Sequence, residues 1–320
     1  MNAVATPRVD LQACTGLAQA ILGNVEQVLR GKHAQVELAL AAMVAGGHVL
    51  IEDVPGLGKT MLARALAQSV GLSFKRIQFT ADLMPSDIVG GPIYNPKDGS
   101  FLLRHGPVFA NIVLADEINR ANPRAQSALL EAMEEAQVTL DGQTVRLPAP
   151  FTVLATQNPI DMASTFPLPE AQLDRFLVRL SLGYPDLAVE ASLINAHQFE
   201  HPIARLQPVC NQEQFASLSA AARQVQITPE VSAFMAGIVG ATRSHPSIRF
   251  GASPRGTLGL ARIARALSCM RGLDYVDPAI VREVAVPVLA HRIIAQTQGG
   301  QTRTAAQLVE DILAKQATPR

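Results

Sequence analysis

The stretch IEDVPGLGKT, residues 51–60, decides how the rest of the chain is read. Its second half, Gly56-Leu57-Gly58-Lys59-Thr60, has the composition of a loop that cradles phosphate. The glycines let backbone amides approach an anion, the lysine reaches the terminal phosphates, and the hydroxyl serves magnesium. Just before it, HVLIE (48–52) is a short apolar run of the kind that forms a buried strand. Just after it, residues 60–70 take helical spacing, with Met61, Leu62, Ala65, Leu66 and Val70 on one face and Gly71 as the stop. A phosphate loop needs this order of strand, glycine turn and helix N-terminus, because the helix's first amides and its dipole favour an anion. Val54, Pro55, Gly56, Leu57, Gly58, Lys59, Thr60 and Met61 are therefore the candidate nucleotide-contacting residues, with Thr60 a candidate metal ligand. The bland alternative is an ordinary glycine turn opening a helix. One position departs from the general pattern: Asp53 stands where the first glycine belongs. Aspartate tolerates the turn conformation expected there. Because a carboxylate aimed at phosphates would repel them, its side chain is expected to turn away and cap local backbone amides.

Outward from the loop, short apolar runs at 76–79, 112–115, 151–155 and 177–182 alternate with helical stretches, notably 124–136. That alternation predicts a parallel sheet with helices on both faces. Residues 91–108 and 137–147 carry turn signals (Asn95-Pro96-Lys97-Asp98-Gly99 and Asp141-Gly142) between apolar or β-branched pieces. They read as hairpins inserted into the sheet's rhythm. A helical pattern over 11–43 precedes the first strand and is stopped by Gly46-Gly47. Beyond GYPD (183–186) no strand run is convincing, and helical patterns cover 187–199, 213–225, 230–245, 254–271 and 278–298. The expected division is an α/β nucleotide-binding core over 1–186 and an all-helical unit over 187–320.

Three further elements bear on chemistry. NIVLADE (111–117) is a strand ending in two carboxylates, at the sheet edge where open α/β sheets bind ligands. Asp116 is placed to hold magnesium and Glu117 to polarise an attacking water. FTVLATQNP (151–159) ends another strand in a polar cluster. Asn158 there either orients the water or touches a terminal phosphate, or simply starts a turn. Arg175, in LDRF, and Arg255, in GASPRG, could stabilise charge on a transferring phosphoryl group. Ser253 and Pro254 would put Arg255 in the first turn of a helix. Taken singly, either arginine is as readily a surface salt bridge.

Composition narrows the function class. Lys+Arg and Asp+Glu are both 27 in 320 residues, and this zero balance argues against broad capture of nucleic acid. The three cysteines, Cys14, Cys210 and Cys269, are far apart in sequence and form no pairing motif, which fits a reducing cytoplasm. The histidines show no zinc spacing. Neither a signal pattern nor a run long enough to span a bilayer is visible.

With these elements in order the chain resembles an AAA+ ATPase and, more narrowly, the MoxR family. The strings that carry the resemblance are VLIEDVPGLGKT, RIQFTADLMPSDIVG, GPVFANIVLADEINRANPRAQSALLEAMEE, QVTLDG, ATQNP, FPLPEAQLDRFL, GASPRG and HRII. They run through most of the chain. The resemblance implies a P-loop NTPase core with a helical lid. ATP and Mg2+ would be bound between subunits of a ring, usually a homo-hexamer. It implies that Lys59, Thr60, Asp116 and Glu117 act from one subunit, and that Asn158 is the sensor-1 position. Arg255 would be sensor 2, and Arg175 the arginine finger that reaches the neighbour's site, with Arg120, Arg124 and Arg179 as other candidates. The hairpin near 95–99 would be the helix-2 insertion, and the one near 141–142 the hairpin before sensor 1. MoxR-type ATPases are chaperone-like, mature or activate metal-dependent enzymes and other complexes, and work with partners bearing a von Willebrand factor A domain. A nucleic-acid motor and a nucleotide-gated assembly switch are the alternatives within the clade. The neutral charge counts against the first, and Glu117 against the second.

Overall fold

Val49, Leu50 and Ile51 alternate their side chains between two apolar layers, and this alternation organises the molecule. The computed structural model describes residues 10–97, 99–140, 142–159, 165–196, 202–296 and 303–319. In chain order, α1 (Leu11–Glu26) and α2 (His33–Val44) precede β1 (Val49–Glu52), α3 (Lys59–Ser69), β2 (Phe74–Gln78) and α4 (Pro85–Val89). Then come β3 (Gly90–Tyr94), β4 (Phe101–His105), β5 (Ile112–Asp116), α5 (Pro123–Glu135), β6 (Gln137–Leu140), β7 (Gln143–Arg146), β8 (Thr152–Gln157), α6 (Glu170–Leu173) and β9 (Val178–Leu180). The C-terminal part holds α7 (Leu187–Ala196), α8 (Gln212–Gln224), α9 (Pro229–Ser244), β10 (Ile248–Phe250), α10 (Pro254–Met270), α11 (Pro278–Leu289), β11 (Ile294–Ala295) and α12 (Ala305–Lys315).

Five strands form one parallel sheet in the order β2-β5-β8-β1-β9. The inner strands β1, β5 and β8 are buried on both faces and lack polar alternation, whereas the edge strand β2 is largely exposed. Val49 and Ile51 face a layer that contains α1, α2 and α3 and continues into the C-terminal helices. Leu50 faces the opposite layer with Val113, Val153, Phe79 and Phe176, packed against α5. The first layer is one continuous apolar cluster from Ile21 and Leu40 to Ile263 and Val288, so α10 rests directly on α1 and α2. The expected pair of hairpins is present as two separate two-stranded sheets, β3-β4 and β6-β7. The turn residues Asp98 and Asp141 lie outside the described residues.

Several expectations need correction. The helical pattern over 11–43 is two helices, because the chain turns between them with Gly31 at φ 69°, in the left-handed region that glycine alone enters without strain. The pattern over 278–298 is helical only to Leu289. Pro287 lacks the amide that would continue the ladder, and a 3-10 turn follows at Ala290–Arg292. Residues 298 and 197–199, the ends of two expected helices, lie outside the described residues. The helical unit also contains strand: β10 and β11 pair antiparallel, each too short to show a period-2 pattern. A further helix, α12, lies beyond the expected helical stretches and is capped by Thr304 and Gln307. Cys14 and Cys269, remote in sequence, bring their thiols within hydrogen-bond reach where α1 meets α10, and burial pushes the Cys269 thiol up to about 12. Among the described residues no helix is long and apolar enough to cross a membrane.

Two contacts fix the sheet's N-terminal edge. A Cβ on Gly47 would meet the Leu177 side chain at 2.4 Å, so only glycine lets the approach to β1 pass there. The buried His48 ring accepts the Val153 amide at Nδ1 (3.0 Å) and donates from Nε2 to the Met133 carbonyl (2.9 Å). It therefore ties β1 to β8 and to the last turn of α5. Burial lowers its pKa to about 4, the Met133 carbonyl opposing that shift, so the neutral ring these two bonds require is the one present near neutral pH.

Candidate active site

The turn from β1 into α3 has the backbone of an anion cradle. Gly56 and Gly58 sit at φ 89° and 91°. A Cβ at either would touch nothing within 4 Å, so glycine is required by the left-handed backbone and not by lack of space. Lys59 and Thr60 open α3, whose free first amides point out of the turn. Lys59 is buried, and its ammonium donates to the Asp53 carbonyl at 2.6 Å. Burial lowers its pKa, while Asp53, Asp116 and Glu117 pull it back up.

Asp53 itself does not have positive φ, so this position does not demand glycine, contrary to the turn conformation expected for it. Its carboxylate points away from the loop's open side. It accepts the Leu182 amide (2.5 Å), the Gly183 amide (3.4 Å) and the Ser181 hydroxyl (2.7 Å). The capped amides are therefore not local ones but those that follow β9. Asp53→Ala would leave the buried Leu182 amide unpaired and should cost about 1–3 kcal/mol of stability, read as a lower denaturant midpoint. Nucleotide affinity in the folded fraction should change less than threefold; a larger loss would mean that the carboxylate serves the loop directly.

Asp116 ends β5 beside the loop. Its Oδ1 accepts the Thr156 hydroxyl (2.6 Å), and its Oδ2 accepts Nε and Nη2 of Arg76 (3.0 and 2.6 Å). The same Thr156 oxygen accepts the Glu117 amide at 2.8 Å. That bond helps hold Glu117 at φ 58°, a conformation non-glycine residues adopt only when neighbours insist. The Glu117 carboxylate receives Gln78 Nε2 (3.0 Å) and pairs with Arg120 (3.0 Å). Arg76, Gln78, Thr156 and Arg120 thus contact the two carboxylates. Gln78 and Arg76 pair in register with Asp116 and Leu114 across β2 and β5, a relation no local motif reveals.

Pro55, Gly56, Gly58, Lys59, Thr60, Met61, Arg76, Gln78, Asp116 and Glu117 line one cleft of about 380 Å³ at the C-terminal ends of the strands. Val54 and Leu57 complete the loop without lining that cleft. Asn158 follows β8 directly, where Gln157 pairs with Glu52 beside the start of the loop. The donors fit a magnesium nucleotide. The glycine cradle faces open space, and the Thr60 hydroxyl and the Asp116 carboxylate are hard oxygen donors. Mg2+ typically takes only one or two such groups from protein and the rest from phosphate and water.

Arg175 and Arg255 stand elsewhere. Both bind Glu134, through Nη2 of Arg175 (3.1 Å) and Nη2 of Arg255 (2.5 Å), and Arg175 Nη1 also donates to the Leu130 carbonyl (2.5 Å). They line a second cavity with Gly46, Gly47 and His48, at the N-terminal edge of the sheet. The four residues of β1 separate the two clefts by roughly 13 Å. Ser253 caps α10 through the Arg255 amide, as the sequence predicts, with Pro254 in its first turn.

Comparison with known proteins agrees with this architecture. A model of the ATPase family associated with various cellular activities (AAA) matches residues 48–178, and one of the AAA lid domain matches residues 240–312. The chain is 48% identical over 285 residues to the uncharacterised protein YeaC of Bacillus subtilis, covering 89% of this chain and 88% of that one. It is 41% identical over 280 residues to Chaperone MoxR1 of Mycobacterium tuberculosis, covering 85% and 74% respectively. A crystal structure of a proposed ATPase from Cytophaga hutchinsonii superposes with a TM-score of 0.89 at 36% identity, covering 97% of both chains. The glycine cradle, the paired carboxylates at the end of β5, the helical lid and these relatives together mean that the chain belongs to the MoxR family of AAA+ ATPases.

Proposed function

We propose that this chain binds and hydrolyses ATP with Mg2+ in the cytoplasm, as a ring, usually a homo-hexamer, and uses the cycle to remodel or mature partner proteins. The observation that carries the reading is the convergence of Lys59, Thr60, Asp116 and Glu117 on one cleft at the strand ends. Residues 54–61 bind the phosphates, with Lys59 neutralising the terminal ones. Thr60 and Asp116 hold Mg2+, which when bound screens the phosphate charge. Glu117 polarises the attacking water, and Asn158 orients it. The working division is a core over residues 1–186 and a lid over 187–320.

The placement of Arg175 and Arg255 supports a site shared between copies. A side chain at the sheet's N-terminal edge does not span β1 to its own cleft, whereas a neighbour in a ring can present its own cleft to that edge. Arg120 and Arg179 are less suited to act in trans, because their partners Glu117 and Glu52 stand at the strand ends beside their own subunit's phosphate loop. The chaperone name of the Mycobacterium relative supports a protein client, and the family resemblance alone implies a partner with a von Willebrand factor A domain.

Titration of the purified chain with a fluorescent ADP analogue tests the site. Lys59→Ala should weaken binding about 100-fold, the loss expected when a charge-assisted contact of roughly 3 kcal/mol is removed. Wild-type protein that binds no nucleotide in the presence of Mg2+ would overturn the reading. Sedimentation with a non-hydrolysable ATP analogue tests the ring.

A further inference from the structure

Arg76 carries no role in the reading above, yet it lines the same cleft. It projects from β2, the edge strand, with its side chain about half exposed, while the Asp116 side chain is nearly buried. Two of its nitrogens converge on one oxygen, Oδ2 of Asp116. The other oxygen is taken by Thr156, a neutral, fully buried partner fixed in β8. Both oxygens of Asp116 are therefore engaged, one by a buried hydroxyl and one by a cation on a half-exposed side chain. Nη2 of Arg76 also reaches Gln78 Oε1 at 2.6 Å.

Resting on the nucleotide-site reading, we propose that Arg76 is a built-in counter-ion. It holds Asp116 while no divalent cation is present, and exchanges that carboxylate for nucleotide phosphate oxygens when one arrives. An unpaired carboxylate facing the phosphate loop would repel phosphates, and Arg76 cancels that charge. A divalent cation and the guanidinium would compete for this carboxylate, because two positive centres at contact distance repel. The guanidinium that leaves Asp116 is already in the cleft wall, and its planar set of donors suits phosphate as well as carboxylate. Arg76 is thus a positioning residue that makes nucleotide binding and cation binding exchange-coupled. Nucleotide binds tolerably without metal, and metal must displace an internal competitor.

The test is equilibrium binding of mant-ADP to the full chain, in EDTA and across a Mg2+ titration. It compares wild type with Arg76→Gln and Arg76→Lys. Arg76→Gln should lower the Mg2+ concentration at half-maximal effect about tenfold, because the competing charge is gone. It should also weaken metal-free binding about tenfold, because Asp116 is left bare. Arg76→Lys keeps the charge and should stay within about threefold of wild type on both measures. An unchanged Mg2+ midpoint would overturn the proposal, and so would a rise in it. Equal losses with and without metal would mark a merely structural residue. Should Arg76→Gln not fold, Asp116→Asn decides the matter independently. Freeing Arg76 from its carboxylate should tighten metal-free mant-ADP binding, and unchanged or weaker binding would count against the exchange. Wild type that fails to bind mant-ADP even with Mg2+ is a different result, one that removes the nucleotide site itself.

Discussion

Arg175→Ala is expected to slow ATP turnover by roughly 10³-fold or more while leaving nucleotide affinity within a few fold. The expected loss, about 4 kcal/mol of transition-state stabilisation, is large because an arginine finger acts only on charge that develops during phosphoryl transfer. Affinity should survive because Arg175 lies at the opposite end of β1 from its own phosphate loop. The side chain is held ready by the Leu130 carbonyl and by Glu134, both on α5. Its removal therefore also cuts a contact within the fold, and a melting curve must show that the variant remains folded. The decisive measurement mixes subunits. A Lys59→Ala subunit has a dead loop and an intact arginine, and an Arg175→Ala subunit has the reverse. Rings containing both should regain part of the activity that neither variant shows alone. No recovery in rings demonstrated to be mixed would remove the finger in trans, and turnover within a few fold of wild type in Arg175→Ala alone would remove Arg175 from the chemistry.

The parts of the molecule that were legible in the sequence are those set by local rules. Continuous apolar strands announce a parallel sheet. Gly56, Gly58, Lys59 and Thr60 announce a cradle, because backbone geometry and ligand chemistry restrict those residue types. Ser253-Pro254 marks the start of α10 for the same kind of reason. What stayed hidden depends on pairing between distant strands. Arg76 and Gln78 look like ordinary polar residues of an edge strand, and only the β2–β5 register turns them toward the two carboxylates. Thr156 reads as one more β-branched strand residue until β8 is laid beside β5. The Asp53 carboxylate was expected to find amides, yet which amides could not be read, because Leu182 and Gly183 arrive only through β9. Arg255 shows the limit of motif transfer. Its motif and helix start were recognisable, but the cleft it stands in is decided by how α10 packs on α1 and α2.

Glu117→Gln is expected to keep ATP bound and to lower turnover by about 10²–10⁴-fold, the range for losing a positioned base. The substitution is sterically mild, and three features of the site indicate that it leaves the backbone alone. The Glu117 amide is held by Thr156, not by its own side chain. The strained φ is therefore kept without the carboxylate. Asp116, the candidate metal ligand, has its own partners in Thr156 and Arg76. What changes is the negative charge. A carboxamide still accepts from Gln78 and Arg120, but it no longer draws a proton from water, so binding and hydrolysis should separate. Affinity is expected to rise slightly, because Glu117 contributes negative charge to the cleft that receives the phosphates. Rapid-quench measurement of ATP cleavage, with mant-ADP affinity measured alongside, checks both halves. Retained hydrolysis would assign water activation to another group. If affinity and turnover fell together, Glu117 would instead be a residue that shapes the cleft. Only retained affinity with lost cleavage fits a carboxylate whose task begins after ATP is bound.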